Sequence, residues 1–233
     1  MSEIVDEFGI NQIYKTSEVN NLRQQRRINK ICEYLPVSTS NVLEIGCGFA
    51  ELSFEIQKNK NIKVTAIDQS ADFINKNKSK HMNVHFIQAE LIHYFTQSNE
   101  KFDAIVGMGI LHHLLPEDPQ FYLKLKNKLN PKGRILFWEP NLYCPLVFLI
   151  FKFAPLRKVF RLDEKEMALS LNNTRNQLTQ AGFDIIELKF QDFLLPNTPK
   201  VVAPMLIKLG VILERHKLTA WMAQSLFICA QIK

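Results

Sequence analysis

The stretch Glu44-Ile45-Gly46-Cys47-Gly48-Phe49-Ala50 is the part of this 233-residue sequence best suited to chemistry. Two glycines one residue apart let the chain turn tightly and let a ligand approach the backbone. A helical pattern follows, and the start of a helix offers N–H groups to an anionic group. Asp68 comes 20 residues after Gly48, at the end of the next apolar run, where a carboxylate can accept hydrogen bonds from ribose hydroxyls. Strand, glycine turn, helix, strand and terminal acid together describe a site for a nucleoside-containing ligand. His112 and His113 are adjacent imidazoles that titrate near working pH, so either suits a general base. Glu139 is a candidate acceptor or orienting group for the same crevice, with Tyr143 beside it. Tyr14 is a candidate to close over the ligand from the N-terminal segment.

The elements that must hold these residues alternate along the chain. Apolar runs at 41–46, 62–67, 83–88, 102–106 and 133–138 read as strands. Helical patterns fill 50–59, 71–80 and 117–129, the last ending at the turn signal Asn130-Pro131-Lys132-Gly133. Residues 171–181 are helical and stop at Gly182, and 183–190 and Ser225 to Ile232 complete seven strands. Such alternation predicts an α/β domain with a mostly parallel sheet and helices on both faces. One domain spans 1–233, with a lid over 140–170 and a helical insert over 196–224 before the last strand.

Val42-Leu43-Glu44-Ile45-Gly46-Cys47-Gly48 closely resembles the first motif of the class I S-adenosylmethionine-dependent methyltransferases, with Ala50 where that family has a third glycine. Ala89-Glu90, Phe102 to Val106 followed by Leu111-His112-His113-Leu114, and Leu129 to Arg134 match later segments of the family in order. The resemblance covers about residues 20–140 and the two terminal strands, and it implies a Rossmann-like sheet. It also implies S-adenosylmethionine as cofactor and S-adenosylhomocysteine as product. The cofactor-binding set it implies is Glu44, Gly46, Cys47, Gly48, Asp68, Gln69, Ala89, Glu90 and Met108, with Glu90 accepting from the adenine amine. Catalysis would fall to His112, His113 and Glu139, with His112 preferred as base.

Composition removes other classes. The four cysteines have no CxxC spacing, so zinc and dithiol redox chemistry lose support, no metal is expected, and the thiols read as reduced in the cytoplasm. Glu3, Asp6 and Glu7 precede any apolar run, which argues against a secretory signal. The formal net charge of +6 is compatible with nucleic acid or an anionic membrane. After the fourth strand stands Gly107-Met108-Gly109-Ile110, where base amino-methyltransferases carry Asn/Asp-Pro-Pro-aromatic. Arg23, Arg26, Arg27 and Lys30 lack interleaved aromatics, so nucleic acid is disfavoured as a partner.

The run Pro145 to Ala154 is apolar nearly all round and is followed by Arg157, Lys158 and Arg161. It resembles the ubiquinone/menaquinone-type small-molecule methyltransferases and implies an apolar or lipid-linked acceptor, methylated on oxygen, nitrogen or carbon. A basic rim beside apolar positions predicts peripheral contact with an anionic membrane at the inner surface of the cell membrane. An NAD(P)-dependent oxidoreductase is the rival enzyme, weakened by Glu51 where the last glycine of a dinucleotide loop belongs. A non-catalytic domain that binds the cofactor or a partner protein is the other rival.

Overall fold

The computed structural model describes residues 18–80, 83–195 and 198–233. Tyr14 and the acidic N-terminal residues lie outside the described residues, as do residues 196–197 at the start of the expected insert. The strands are β1 (Asn41–Ile45), β2 (Lys63–Asp68), β3 (His85–Gln88), β4 (Phe102–Met108), β5 (Leu129–Pro140), β6 (Phe183–Gln191) and β7 (Ser225–Ile232). They form one sheet in the order β3-β2-β1-β4-β5-β7-β6. β1 to β5 are parallel to one another, and β7 runs antiparallel to both β5 and β6. The expected seven-stranded, mostly parallel, Rossmann-like sheet is the fold observed.

Central strands of such a sheet are covered on both faces, which is why β1 and β4 read as continuous apolar runs. On one face, α1 (Glu18–Tyr34), α2 (Glu51–Gln57) and α3 (Ala71–Lys78) pack Ile31, Leu52 and Ile74 against Val42, Val64 and Val106. On the other lie α4 (Leu91–Gln97), α5 (Leu111–Leu114), α6 (Phe121–Asn127) and, after two lid helices, α9 (Leu171–Gln180). They set Phe95, Leu111, Phe121 and Leu178 against Leu43, Ile105 and Phe137. Truncating a fully buried ring such as Phe121 to alanine would cost about 3–5 kcal/mol.

One expectation about local structure is corrected. The turn signal at 130–133 lies within β5: Leu129 already pairs with Phe102, and a register shift follows. Lys132 takes φ 62 there, so the Asn-Pro-Lys-Gly stretch folds as an irregularity in the strand rather than a separate turn. The apolar run 145–154 forms α7 (Pro145–Lys152) and stops at Phe153, where α8 (Ala154–Val159) follows. Phe153 between them is extended, with ψ 116. Pro155 explains the break, since a proline inside a helix lacks the N–H donor and clashes with the preceding turn. The insert holds α10 (Ala203–Arg215) and a 3-10 turn at Ala220–Met222.

Candidate active site

The loop after β1 owes its shape to three residues with left-handed backbones: Gly46 at φ 64, Gly48 at φ 48 and Ala50 at φ 58. A side chain at Gly46 would meet Ile110 Cδ1 at 2.7 Å, so this glycine lets the loop after β4 close over it. At Gly48 an added Cβ would meet nothing within 4 Å: the backbone there faces open space, as close approach of a ligand requires. Ala50, fully buried, accepts a conformation that glycine adopts without strain.

Three side chains hold the loop from below. The Glu44 carboxylate, buried beneath it, accepts hydrogen bonds from the Ser53 N–H (2.9 Å) and the Ser53 hydroxyl. Burial pushes the Glu44 carboxyl up to about 8, against the two bonds from Ser53. Asn77 donates to the Gly48 carbonyl at 2.7 Å. Asp68 accepts from the Gly48 N–H at 2.8 Å with one oxygen and from the Ser70 N–H at 2.9 Å with the other. The first turn of α2 therefore turns a donor towards Glu44, where the sequence suggested an outward anion site. A pyrophosphate entering here would meet Glu51 and Asp68. Those carboxylates suit the positively charged sulfonium and ammonium groups of S-adenosylmethionine.

Strand order sets the remaining cofactor candidates side by side. Along the carboxyl edge β3-β2-β1-β4 come Ala89 and Glu90, then Asp68 and Gln69, then Gly46 to Gly48, then Met108. The Ala89 N–H donates to the Asp68 carbonyl at 3.1 Å and ties two of these ends together. Cys47 is buried, its N–H on the Ile67 carbonyl at 3.0 Å. Phe49 is exposed at the rim, edge-on to Phe73 at 4.8 Å.

Glu139 belongs to β5 itself and is 1% exposed. Its Oε1 accepts from the Ile110 and Leu111 N–H groups at 3.0 and 2.8 Å. Its Oε2 accepts from the His112 N–H at 3.3 Å and faces His112 Nδ1 at 2.9 Å. Both oxygens are committed, so of the two roles read from the sequence Glu139 has the geometry of the orienting one. A carboxylate at Nδ1 fixes the proton there and leaves Nε2 of His112 as the basic nitrogen. His113, more exposed, lies beside it with ring centroids 4.1 Å apart and the rings tilted by 38°, and its Nδ1 lies 3.0 Å from Glu166. Burial opposes charge on His113, but the hydrogen bond and negative charge of Glu166 outweigh it and raise the imidazole. His112, His113 and Glu166 bring three possible metal-ligating atoms within 4.8 Å of one another, a grouping that spacing along the chain does not reveal. Tyr143 is exposed and stands edge-on to the Phe190 ring at 6.0 Å.

Sequence reasoning did not single out Ser53, Asn77, Ile110 or Glu166. Asn77 was open to detection, as a polar residue one helical turn after the buried Ile74 on the apolar face of α3. The others act through partners distant in sequence. The lid covers the histidines: the Phe151 ring of α7 stands edge-on to His112 at 6.1 Å, and the Met167 N–H donates to the His112 carbonyl. Arg157, expected on a basic rim, turns inward and donates to the carbonyls of Phe151, Asp163 and Glu166.

Residues 42–133 match the family model described as a methyltransferase domain. The cyclopropane-fatty-acyl-phospholipid synthase of Escherichia coli (strain K12) is 27% identical over 117 residues, 48% of this chain and 30% of that protein. The tRNA U34 carboxymethyltransferase of Nautilia profundicola is 28% identical over 136 residues, 55% of this chain and 43% of that protein. The chain thus spans less than half the length of these relatives. A crystal structure of a SAM-dependent methyltransferase from Archaeoglobus fulgidus superposes with a TM-score of 0.67 at 17% identity, covering 95% of this chain and 97% of that one. The domain match, the strand order and the glycine loop with its acids together make this chain similar to S-adenosylmethionine-dependent methyltransferases, with which it shares the fold.

Proposed function

We propose that this chain transfers the methyl group of S-adenosylmethionine to a small apolar or lipid-linked acceptor. One observation carries the reading: a cofactor edge built from Gly46 to Gly48, Asp68 and Glu90 adjoins a histidine pair roofed by an apolar lid. Gly46, Gly48, Asp68, Gln69, Ala89, Glu90 and Met108 hold the cofactor in this reading, while Glu44 and Cys47 act from beneath the loop. The cofactor supplies an electrophilic methyl group. The chain has to place an acceptor in line with it and remove a proton. His112 Nε2 takes that proton, and Glu139 is a positioning residue that fixes the imidazole.

The acceptor class follows from the cover. Leu146, Phe148, Leu149 and Phe153 are exposed on the lid, and Met205, Leu209 and Ile212 on α10. Large exposed apolar groups on these helices call for an apolar partner. The relative named for a fatty-acyl-phospholipid product supports a lipid-linked acceptor. Residues Lys152 and Lys158 beside the lid's apolar face support peripheral contact with an anionic membrane. Among the described residues no helix is long and apolar enough to cross one. Nucleic acid is disfavoured because Arg23 and Arg27 turn inward to Asp192 rather than outward as a track.

The test is radiolabelled methyl transfer from S-adenosylmethionine to a lipid extract and to transfer RNA. Label is expected in the lipid fraction; label in RNA alone would overturn the acceptor class. His112→Ala should then lower kcat about a hundredfold or more, with S-adenosylhomocysteine affinity unchanged. Glu139→Gln should lower kcat less and shift the pH profile. Equal turnover in His112→Ala and wild type would remove His112 as base.

A further inference from the structure

The expectation of no metal rests on cysteine spacing, and it does not reach a cluster that the fold assembles from histidine and glutamate. His112 and His113 belong to α5, and Glu166 to the lid segment between α8 and α9. Each of the three offers one ligand atom, and these atoms lie within 4.8 Å of one another. Two imidazoles and a carboxylate are the donor set of a divalent transition ion such as zinc, whereas magnesium and calcium take oxygen ligands. Zinc bonds of about 2.0–2.2 Å hold tetrahedral ligand atoms about 3.4 Å apart, so side-chain shifts of about 1 Å close the set.

Two further features point to an ion. Glu166 is 7% exposed. Its Oε1 lies 3.0 Å from His113 Nδ1, but its Oε2 is buried with no hydrogen-bond partner among the described residues. The ion pair with His113 accounts for one oxygen only, and buried polar atoms are paired in nearly all proteins. Glu139 supplies the second feature. It faces Nδ1 of His112 at 2.9 Å, the carboxylate–histidine pairing that orients metal-bound imidazoles. Nε2 of His112 then carries the free lone pair.

Backbone contacts hold the cluster in place. The Glu166 N–H donates to the Asp163 carbonyl at 3.1 Å, and the Glu166 carbonyl accepts from Arg157 at 3.2 Å. The next residue, Met167, donates its N–H to the His112 carbonyl at 3.4 Å, so the lid already rests on α5 beside Glu166. The Phe151 ring, edge-on to His112 at 6.1 Å, adds an apolar neighbour from α7. An ion bound here would join the lid to α5 and occupy the lone pair that methyl transfer needs from His112.

We propose that His112, His113 and Glu166 form a site for a divalent transition ion of the zinc type, which fastens the lid to α5 and silences His112 as a base. The consequence for catalysis rests on the proposed function; the binding does not, and it can be measured without cofactor or acceptor. Chelator-treated wild type is titrated with Co2+, read by its visible absorption bands, and the bound Co2+ is then displaced with Zn2+. One saturable site is expected. Glu166→Gln, which keeps an oxygen for His113, should weaken Co2+ binding at least tenfold, and so should His113→Ala. His93 is exposed and outside the cluster, so His93→Ala should match wild type. S-adenosylhomocysteine affinity should be retained in Glu166→Gln and His113→Ala, which verifies their fold. No saturable cobalt spectrum, or equal affinity in wild type and both cluster variants, would overturn the site. Saturating Zn2+ should lower methyl transfer by wild type at least tenfold, with recovery on adding EDTA. Undiminished transfer at saturation would overturn the block on His112. Cobalt binding without methyl transfer to any acceptor would leave the site standing and count against the proposed function instead.

Discussion

At the scale of single residues, Gly46 and Gly48 look alike in sequence and differ in function. Gly46 is closed in by Ile110, whereas Gly48 borders open space. Gly48→Ala should therefore cost only the strain of a left-handed alanine, about 1–2 kcal/mol, yet weaken S-adenosylhomocysteine binding at least tenfold by calorimetry. Gly46→Ala should show the larger loss of stability, because the new methyl also displaces Ile110. An equal loss of affinity and of stability in the two variants would refute the distinction. Glu44 gives a second prediction. Its carboxyl is raised from 4.5 to about 8 in the folded chain, so it favours folding while protonated. That contribution is complete below the unfolded value and is lost as pH rises through about 8. Wild type should lose thermal stability between about pH 5 and 8. In Glu44→Gln, which keeps an oxygen acceptor for the Ser53 N–H, the decline should be flatter by several degrees, at about 2–4 °C per kcal/mol. Parallel Tm profiles for the two proteins would show that Glu44 does not titrate in this range.

Between elements, Asp192 makes a charged link from the end of β6 to α1. Burial works against this carboxylate, but the Arg27 and Arg23 charges outweigh it and hold it below its usual range. Its stabilisation is therefore present above about pH 4 and lost as pH falls further. Asp192→Asn, which still tolerates a left-handed backbone, should destabilise by about 3–5 kcal/mol, the cost of leaving buried cations without their partner. Denaturant unfolding at pH 7 tests this, and a change below about 1 kcal/mol would mean that water or another acid replaces Asp192. This scale also separates what the sequence made legible. The glycine turn, Asp68 and the strand–helix alternation follow from local backbone demands and from period, and the expected strands all exist. Glu139 on the α5 amides, Glu166 on His113 and Asp192 on α1 depend on which distant residues the sheet order brings together. No spacing rule encodes those pairs. The lid was legible as an apolar run, but its division at Phe153 required the cost of Pro155 to be weighed against helix period.

For the whole molecule, the exposed apolar faces of α7 and α10 determine how the protein meets other surfaces. With Arg157 committed to the lid's own carbonyls, the test beside α7 takes the exposed lysines Lys152 and Lys158. Wild type should pellet with anionic vesicles at low salt and not with neutral ones, and Lys152→Ala/Lys158→Ala should bind about thirtyfold more weakly, at about 1 kcal/mol per charge. Indifference of the wild type to anionic vesicles would restrict the apolar lid to covering its acceptor. The sheet order carries a different consequence, for synthesis. β6 joins the sheet only through β7, and β7 is the last strand made. During translation β6 emerges with no neighbour to pair with, and β5 keeps an open edge. At about 5–20 residues per second, that state lasts roughly 2–7 s before Ser225 is added. The glycine-loop edge on β1 to β4 can form meanwhile, so a nascent chain would complete that half of the sheet before β5 to β7 close the other.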